Sequence, residues 1–501
     1  MKITFMKKHY LILAAILFLI FILRFPSLFE PFWYGDEGIF AAVGRNLNFG
    51  GVLYQTAWDN KPPMIYLTYA AVFQFFGVSM FWLRLVVAVV VLATAAIIYE
   101  IAQATIGARR ALAACFIFGF LTSLRIIEGN LALTEIFMIL PISLAMMIAV
   151  KRKFDYISLF FGGFLISVAS LYKQVGVLEA AALGIFLFLV TTNFWEFIKK
   201  GVALTVGFVI PYAITFAYFA SKGLVGDYIF GAYTYYRIYL GESPRYAILI
   251  NIAKILPIVA AIFYGLWKKF KDKKVDTSFL FVLWAAFSFL GSYFSGRTYG
   301  HYLVQAAPAV SLLLAQIRLP VGKNFSHLVK KSSIVFAVFF VIPLVFLTRL
   351  LFADFISGGP VNQIKYFRNF VDYATGHKTI ASYNDFFDSN VNTVDALASA
   401  IGKEGAKGSS VYIWGDLPWL YAIVDAQNPV RYVTSFHVFG VPSGREEVIS
   451  RLLASPPQYI IRGESSIGYF AELEKLINAR YTLSAKIETA KLYFLKKENV
   501  F

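Results

Sequence analysis

Long apolar runs recur along the first two-thirds of this chain, at residues 10–25, 81–106, 111–124, 131–150, 156–171, 175–192, 201–220, 247–267, 277–294, 302–317 and 332–352. Each approaches the ~20 residues an α-helix needs to cross a hydrocarbon core. Such a chain is expected to fold as a polytopic α-helical membrane protein with eleven spans. With 59% hydrophobic and 15% charged residues, against roughly 25% charged in soluble domains, a soluble enzyme is excluded. The first run follows Lys2, Lys7 and Lys8 without a small-residue cleavage site, so it is expected to be retained as a span.

A formal charge of +17 would suggest nucleic acid in a soluble protein, but residues 353–501 hold 15 basic and 15 acidic side chains. The excess therefore lies beside the spans, where it reports orientation; no nucleic-acid partner is expected. With a cytoplasmic N-terminus, the inner segments carry 19 Lys and Arg in 49 positions, whereas the outer loops before the tail carry 8 in 97. This is the sense of the positive-inside rule, and an odd number of spans puts the tail outside. The expected division is a transmembrane catalytic domain, 1–352, with outer loops 26–80 and 221–246, and an extracytoplasmic α/β domain, 353–501. In that tail VYIW (411–414) and QYII (458–461) read as buried strands, REEVISRLLAS as a helix and YTLSAKIETAKLYFLKK as a strand pair. The single cysteine, Cys115, allows neither an intrachain disulfide nor a cysteine metal cluster. No internal repeat is seen, which counts against transporter folds built from paired halves.

Loops longer than about 12 to 15 residues are more often functional than not, so the working face is expected on the outer side. Loop 26–80 opens with Asp36-Glu37 between Gly35 and Gly38. Neighbours on a helix point about 100° apart, so one carboxylate is expected to work while the other holds the scaffold; alternatively both mark a helix start, where acids favour the positive dipole end. Further on stands Trp58-Asp59-Asn60-Lys61-Pro62-Pro63. Asp59 or Asn60 is expected to cap a helix with proline at its first position, leaving Lys61 beside N–H groups that favour a phosphate. The alternative is a lysine snorkelling from an interfacial helix. Arg84 is either a second phosphate ligand or a snorkelling anchor. Glu135 in GNLALTEIFMIL, Lys173-Gln174 in SLYKQVGVLE, and Arg297 with His301 in SGRTYGHYLVQ recur at outer ends of spans. Ionisable groups at membrane depth usually mark a site or a partner. The tyrosines of YIFGAYTYYRIYLG (228–241) read as an interfacial belt or as a sugar-stacking platform.

Taken together, the Asp-Glu pair, WDNKPP, the Thr134-Glu135 and Lys173-Gln174 dipeptides and GRTYGHY resemble the dolichyl-phosphate-mannose protein mannosyltransferase family and its bacterial relative, the aminoarabinose transferase of lipid A. VYIWGDLPWLYAI is similar to the extracytoplasmic domain of prokaryotic members. The resemblance implies the C-type glycosyltransferase (GT-C) fold, with Asp36 as catalytic base and Lys61 on the donor phosphate. One departure matters: the aminoarabinose transferases have glutamate before that lysine and this chain has Asn60, so neither a metal site using that glutamate nor lipid A as acceptor carries over. No cofactor is assigned from the sequence, and a divalent metal stays an open alternative.

The expected reaction moves a monosaccharide from a polyprenyl- or dolichyl-phosphate donor to an acceptor hydroxyl on a protein, glycan or lipid. The leaving phosphate gains charge toward −2, about that of a phosphate monoester, so it calls for cations, Lys61 with Arg84 or Arg297, more than for an acid. A single carboxylate base then suffices, with inversion at the anomeric carbon. Two other classes stand beside this one. A transporter would concentrate charges or broken helices near the midplane; a ligase would use pyrophosphate-linked glycans.

Overall fold

A computed structural model describes residues 2–240, 247–295, 297, 299–317, 362–403, 408–463 and 468–496. Helices occupy ten of the eleven apolar runs: α1 (Lys2–Arg24), α4 (Met80–Ile106), α5 (Ala108–Ser123), α6 (Thr134–Lys151), α7 (Tyr156–Ser170), α8 (Leu178–Val190), α9 (Phe194–Ser221), α12 (Ala247–Asp272), α13 (Phe279–Tyr293) and α14 (Ala307–Leu314). The eleventh run, 332–352, lies outside the described residues. Four helices among those described, His9–Phe29, Met80–Ile106, Thr134–Lys151 and Phe194–Ser221, are long and apolar enough to cross a membrane, and shorter apolar helices accompany them. Val202, Val206, Val209 and Ile214 leave one flank of α9 apolar and exposed, as expected of a helix whose solvent is lipid.

The chain forms two compact units. The first comprises Met1–Ser27, Arg84–Phe216 and Glu242–Tyr366. Its α6 and α7 make a hairpin closed by Lys151-Arg152-Lys153, with Lys153 and Phe154 at φ 55° and 59°. Asp155 ends the turn by accepting the Ser158 N–H at 2.8 Å, which caps α7. Lipid offers little hydrophobic drive between helices, so small residues set their approach. A β-carbon at Gly163 would stand 2.0 Å from the Leu204 carbonyl oxygen, and one at Gly207 1.9 Å from that of Phe160. Thus α7 and α9 touch backbone to backbone at both glycines. At the end of α1, buried Arg24 donates to the Thr122 carbonyl at 2.9 Å and tethers α1 to α5.

The second unit is assembled from three separated stretches, Leu28–Leu83, Ala217–Gly241 and Phe367–Phe501. The first stretch holds α2 (Gly35–Asn48) and α3 (Met64–Phe76), and the second holds α10 (Val225–Ile229), a single π-helical turn over Phe230–Thr234 and α11 (Tyr236–Leu240). The third carries a four-stranded sheet in the order β1 (Val411–Trp414), β2 (Tyr459–Arg462), β4 (Ala490–Leu495), β3 (Tyr481–Ile487). Strands β1 and β2 are parallel, so a crossover must join them, and the helix Gly444–Ala454 lies within it. The other pairings are antiparallel, with an irregularity in β3 between Leu483 and Ala485. VYIW is buried at all four positions, as a central strand requires.

One arginine ties the three stretches together. Arg431 donates to the Tyr54 carbonyl (3.1 Å) and pairs with Asp227 (3.4 Å) and Glu447 (2.9 Å). Its own carbonyl accepts the Trp58 N–H at 2.8 Å. Arg45 adds an ion pair to Asp425 at 2.7 Å. The tail is thus no separate bead; it packs with the segments read as outer loops.

Candidate active site

Of the eight residues singled out from the sequence, Asp36, Glu37 and Lys61 fall in the second unit, and Arg84, Glu135, Lys173, Arg297 and His301 in the first. Asp36 and Glu37 occupy the first turn of α2 behind Tyr34, whose side chain makes no cap. Their rotation about the helix separates their surroundings. Glu37 is completely enclosed, whereas Asp36 is half-buried and has no hydrogen-bond or ion-pair partner among the described residues. One turn on, the Phe40 ring stands edge-on to Tyr66 of α3 at 5.9 Å.

The WDNKPP element departs from the capping expectation. Helix α3 begins at Met64 with Pro63 as its N-cap, and no side chain caps it. The reason is steric: a residue preceding proline is pushed out of the helical region, so Pro62 and Pro63 delay the helix past Lys61. Lys61 stands ahead of the helix start, half-buried, with its ammonium donating to Asn60 Oδ1 at 2.8 Å and 5.9 Å from the Tyr236 ring centre. Asp59 turns inward instead. It accepts the Tyr66 hydroxyl at 2.6 Å and lies 3.2 Å from His437 Nε2. Burial opposes the charged form of Asp59, but the His437 hydrogen bond, the Lys61 and His437 charges and the Tyr66 hydroxyl outweigh it and hold the carboxyl well below the usual range.

The tyrosines of the 228–241 stretch form neither a belt nor an open platform where they are most enclosed. Tyr228 stacks on Phe219 at 4.5 Å, and Tyr235 stands edge-on to Trp58 at 4.9 Å; both are buried. The π turn brings Gly231 so close that a β-carbon there would lie 2.6 Å from the Tyr54 ring.

In the first unit Glu135, Lys173, Arg297 and His301 come together through rings. Buried Lys173 is salt-bridged to Glu135, which also accepts from Thr134 at 2.8 Å. The ammonium lies 3.6 Å over the Tyr302 ring, and His301 stands edge-on to that ring at 4.8 Å. Tyr299 stacks on His301, and its hydroxyl accepts from Arg297 at 3.4 Å. Arg84, near the start of α4, is fully enclosed. Among the described residues no three of His, Cys, Asp and Glu converge as a metal site, and Asn60 is engaged by Lys61.

Three residues escaped the sequence reading. His437 sits in the tail behind Thr434-Ser435, a capping sequence that gave its only signal. Tyr66 looked like one more aromatic in an apolar stretch. Glu128, which holds His301 Nδ1 at 2.6 Å, adopts a left-handed conformation at φ 53° that no local signal announces.

The architecture has known counterparts. The crystal structure of ArnT from Cupriavidus metallidurans bound to undecaprenyl phosphate superposes with a TM-score of 0.56 at 14% identity, over 97% of both chains. Its apo state gives 0.57 at 14% identity, over 96% of this chain and 97% of that one. By class this chain is a polytopic membrane protein of the GT-C fold. Residues 60–219 match the family model of dolichyl-phosphate-mannose-protein mannosyltransferase, so the resemblance to the mannosyltransferase and aminoarabinose transferase-like family stands. An uncharacterized protein of Aquifex aeolicus (strain VF5) is 23% identical over 351 residues, 66% of this chain and 67% of its own length.

Proposed function

We propose that this chain is an integral-membrane glycosyltransferase that moves a monosaccharide from a polyprenyl- or dolichyl-phosphate donor to an acceptor hydroxyl of a protein, glycan or lipid, with inversion, on the extracytoplasmic face. One observation carries the reading: a fold likeness over nearly the whole chain to a protein solved with undecaprenyl phosphate, joined to a mannosyltransferase match that begins at Asn60. The packing of both long loops with the tail supports one shared face, since segments that pack together lie on one side of a membrane.

In the proposed step the acceptor oxygen attacks the anomeric carbon as the bond from that carbon to the phosphate oxygen breaks. The acceptor proton goes to Asp36, and the electron pair leaves with the phosphate. Asp36 suits a base because it is half-buried without a competing partner, while enclosed Glu37 anchors α2. Lys61 is the cation assigned to the growing phosphate charge, with Arg84 or Arg297 as the alternatives the sequence offers for a second. Glu135, Lys173 and His301 are the further residues assigned to substrate on the sequence reading.

Lys61 is the testing point. Lys61→Ala should weaken binding of undecaprenyl phosphate to the chain in nanodiscs by about tenfold or more, the scale of a lost charge-assisted hydrogen bond. Lys61→Arg should recover only part, because a planar fork replaces a compact point charge. Wild-type binding by the alanine variant would remove Lys61 from the site.

A further inference from the structure

The backbone of Lys61 is held on both sides. Its N–H donates to the Tyr66 hydroxyl oxygen at 3.1 Å, and its carbonyl accepts the Tyr54 hydroxyl at 2.7 Å. A hydroxyl has one proton and two lone pairs. Tyr66 can therefore accept from Lys61 while donating to Asp59 at 2.6 Å, and Asp59 decides which way that proton points. The other oxygen of Asp59 faces His437 Nε2 at 3.2 Å. An ionised carboxylate only accepts, so Nε2 carries a proton here in either charge state of the ring.

His437 is itself fixed in place. Thr434 caps its helix, Ser435–Gly440, by accepting the His437 N–H at 3.4 Å, and the ring stands edge-on to Trp58 at 4.9 Å. Asp59 is 3% exposed, Tyr66 0% and His437 2%. Hydrogen bonds in so dry a place are costly to leave unmade, which gives the chain from His437 to Lys61 its stiffness.

We propose that His437, acting through Asp59 and Tyr66, is a positioning residue for Lys61, so that the C-terminal segment sets the affinity of the chain for a lipid-linked phosphate without touching it. The proposal rests on the reading of Lys61 as the phosphate contact. Its physical basis is that a donor displaced by about 1 Å loses much of its effect on a bound or reacting group.

A double-mutant cycle on the full chain in nanodiscs, with undecaprenyl phosphate as probe, separates positioning from mere folding. His437→Ala should weaken binding about tenfold, the cost of one hydrogen bond to a buried charge. His437→Gln, whose amide can donate to Asp59, should recover most of it. In a Lys61→Ala background neither substitution should cost anything further. A penalty of equal size in both backgrounds, or wild-type binding by His437→Ala, overturns the proposal. If His437→Ala does not fold, Tyr66→Phe removes only the hydroxyl and carries the same comparison, with the same absence of effect expected beside Lys61→Ala. Wild-type binding by Lys61→Ala alone would instead overturn the role of Lys61, a different failure.

Discussion

A single carboxylate oxygen of Glu128 fixes both the ring and the main chain of His301, lying 2.6 Å from Nδ1 and accepting the backbone N–H at 3.3 Å. Glu128 does this from a left-handed backbone at φ 53°, a region that costs a residue with a β-carbon roughly 1–2 kcal/mol. With Nδ1 engaged by the carboxylate, the acceptor capacity of the neutral ring falls to Nε2. Glu128→Ala should therefore lower stability by about 1–3 kcal/mol, the range for an orphaned buried partner, and Glu128→Gln by less. Thermal unfolding in detergent checks this; equal melting of wild type and Glu128→Ala would show that the contact holds nothing.

The two carboxylates of α2 should fail differently. Asp36→Asn keeps shape but cannot take a proton, so single-turnover transfer should drop about 10²-fold or more with melting unchanged. Glu37→Gln, at an enclosed position, should reduce stability first. Near wild-type transfer by purified Asp36→Asn would exclude Asp36 as the base.

Glu135 and Lys173 should show the asymmetry of buried ion pairs. Glu135→Ala strands the ammonium and should cost about 3–5 kcal/mol, whereas replacing both partners by apolar residues of similar volume should restore much of the stability. If the pair lines the site, Glu135→Leu with Lys173→Met should fold and yet transfer poorly. A double variant with full activity would assign the pair to packing alone.

Asp59 makes a prediction about acid. Its carboxyl is held below the ordinary value of 3.8 in the folded chain, so the unfolded chain binds the proton more readily. The stabilisation is then fully present above about pH 4–5, beyond the titration of a free aspartate, and is lost as pH falls through and below that range. Wild-type stability should fall more steeply than that of Asp59→Asn between pH 5 and pH 3 on this scale. Parallel curves in denaturant titrations at stepped pH would contradict it.

Topology can be read on intact cells. On a Cys115→Ala background, Lys475→Cys in the tail should react with an impermeant thiol reagent and Lys271→Cys should not, as the basic bias requires. Labelling of both, or the reverse pattern, would sink the orientation.

The sequence announced the membrane helices because lipid imposes a blunt rule: an apolar stretch of spanning length, bracketed by lysine and arginine. The tail strands were legible for a related reason, since a central strand such as VYIW must be apolar on both faces. What stayed hidden depends on closure over long distances. Asp59 reads locally as a cap, and only the arrival of His437 shows that it turns inward. The same holds for Arg431, whose bond to Tyr54 spans 377 positions. The start of α3 was misjudged for a local reason, the conformational veto that two consecutive prolines place on the residues before them.

Because Tyr54 and Arg431 are 377 residues apart, synthesis at about 5–20 residues per second makes the first wait roughly 20–75 s for the second. The nascent chain can insert its early helices long before the lysine loop has anything to lean on. The loop becomes rigid only when the last stretch has emerged and been delivered to the same side. A chain cut short ahead of Arg431 would carry its early helices while the Tyr54 carbonyl lacks this donor.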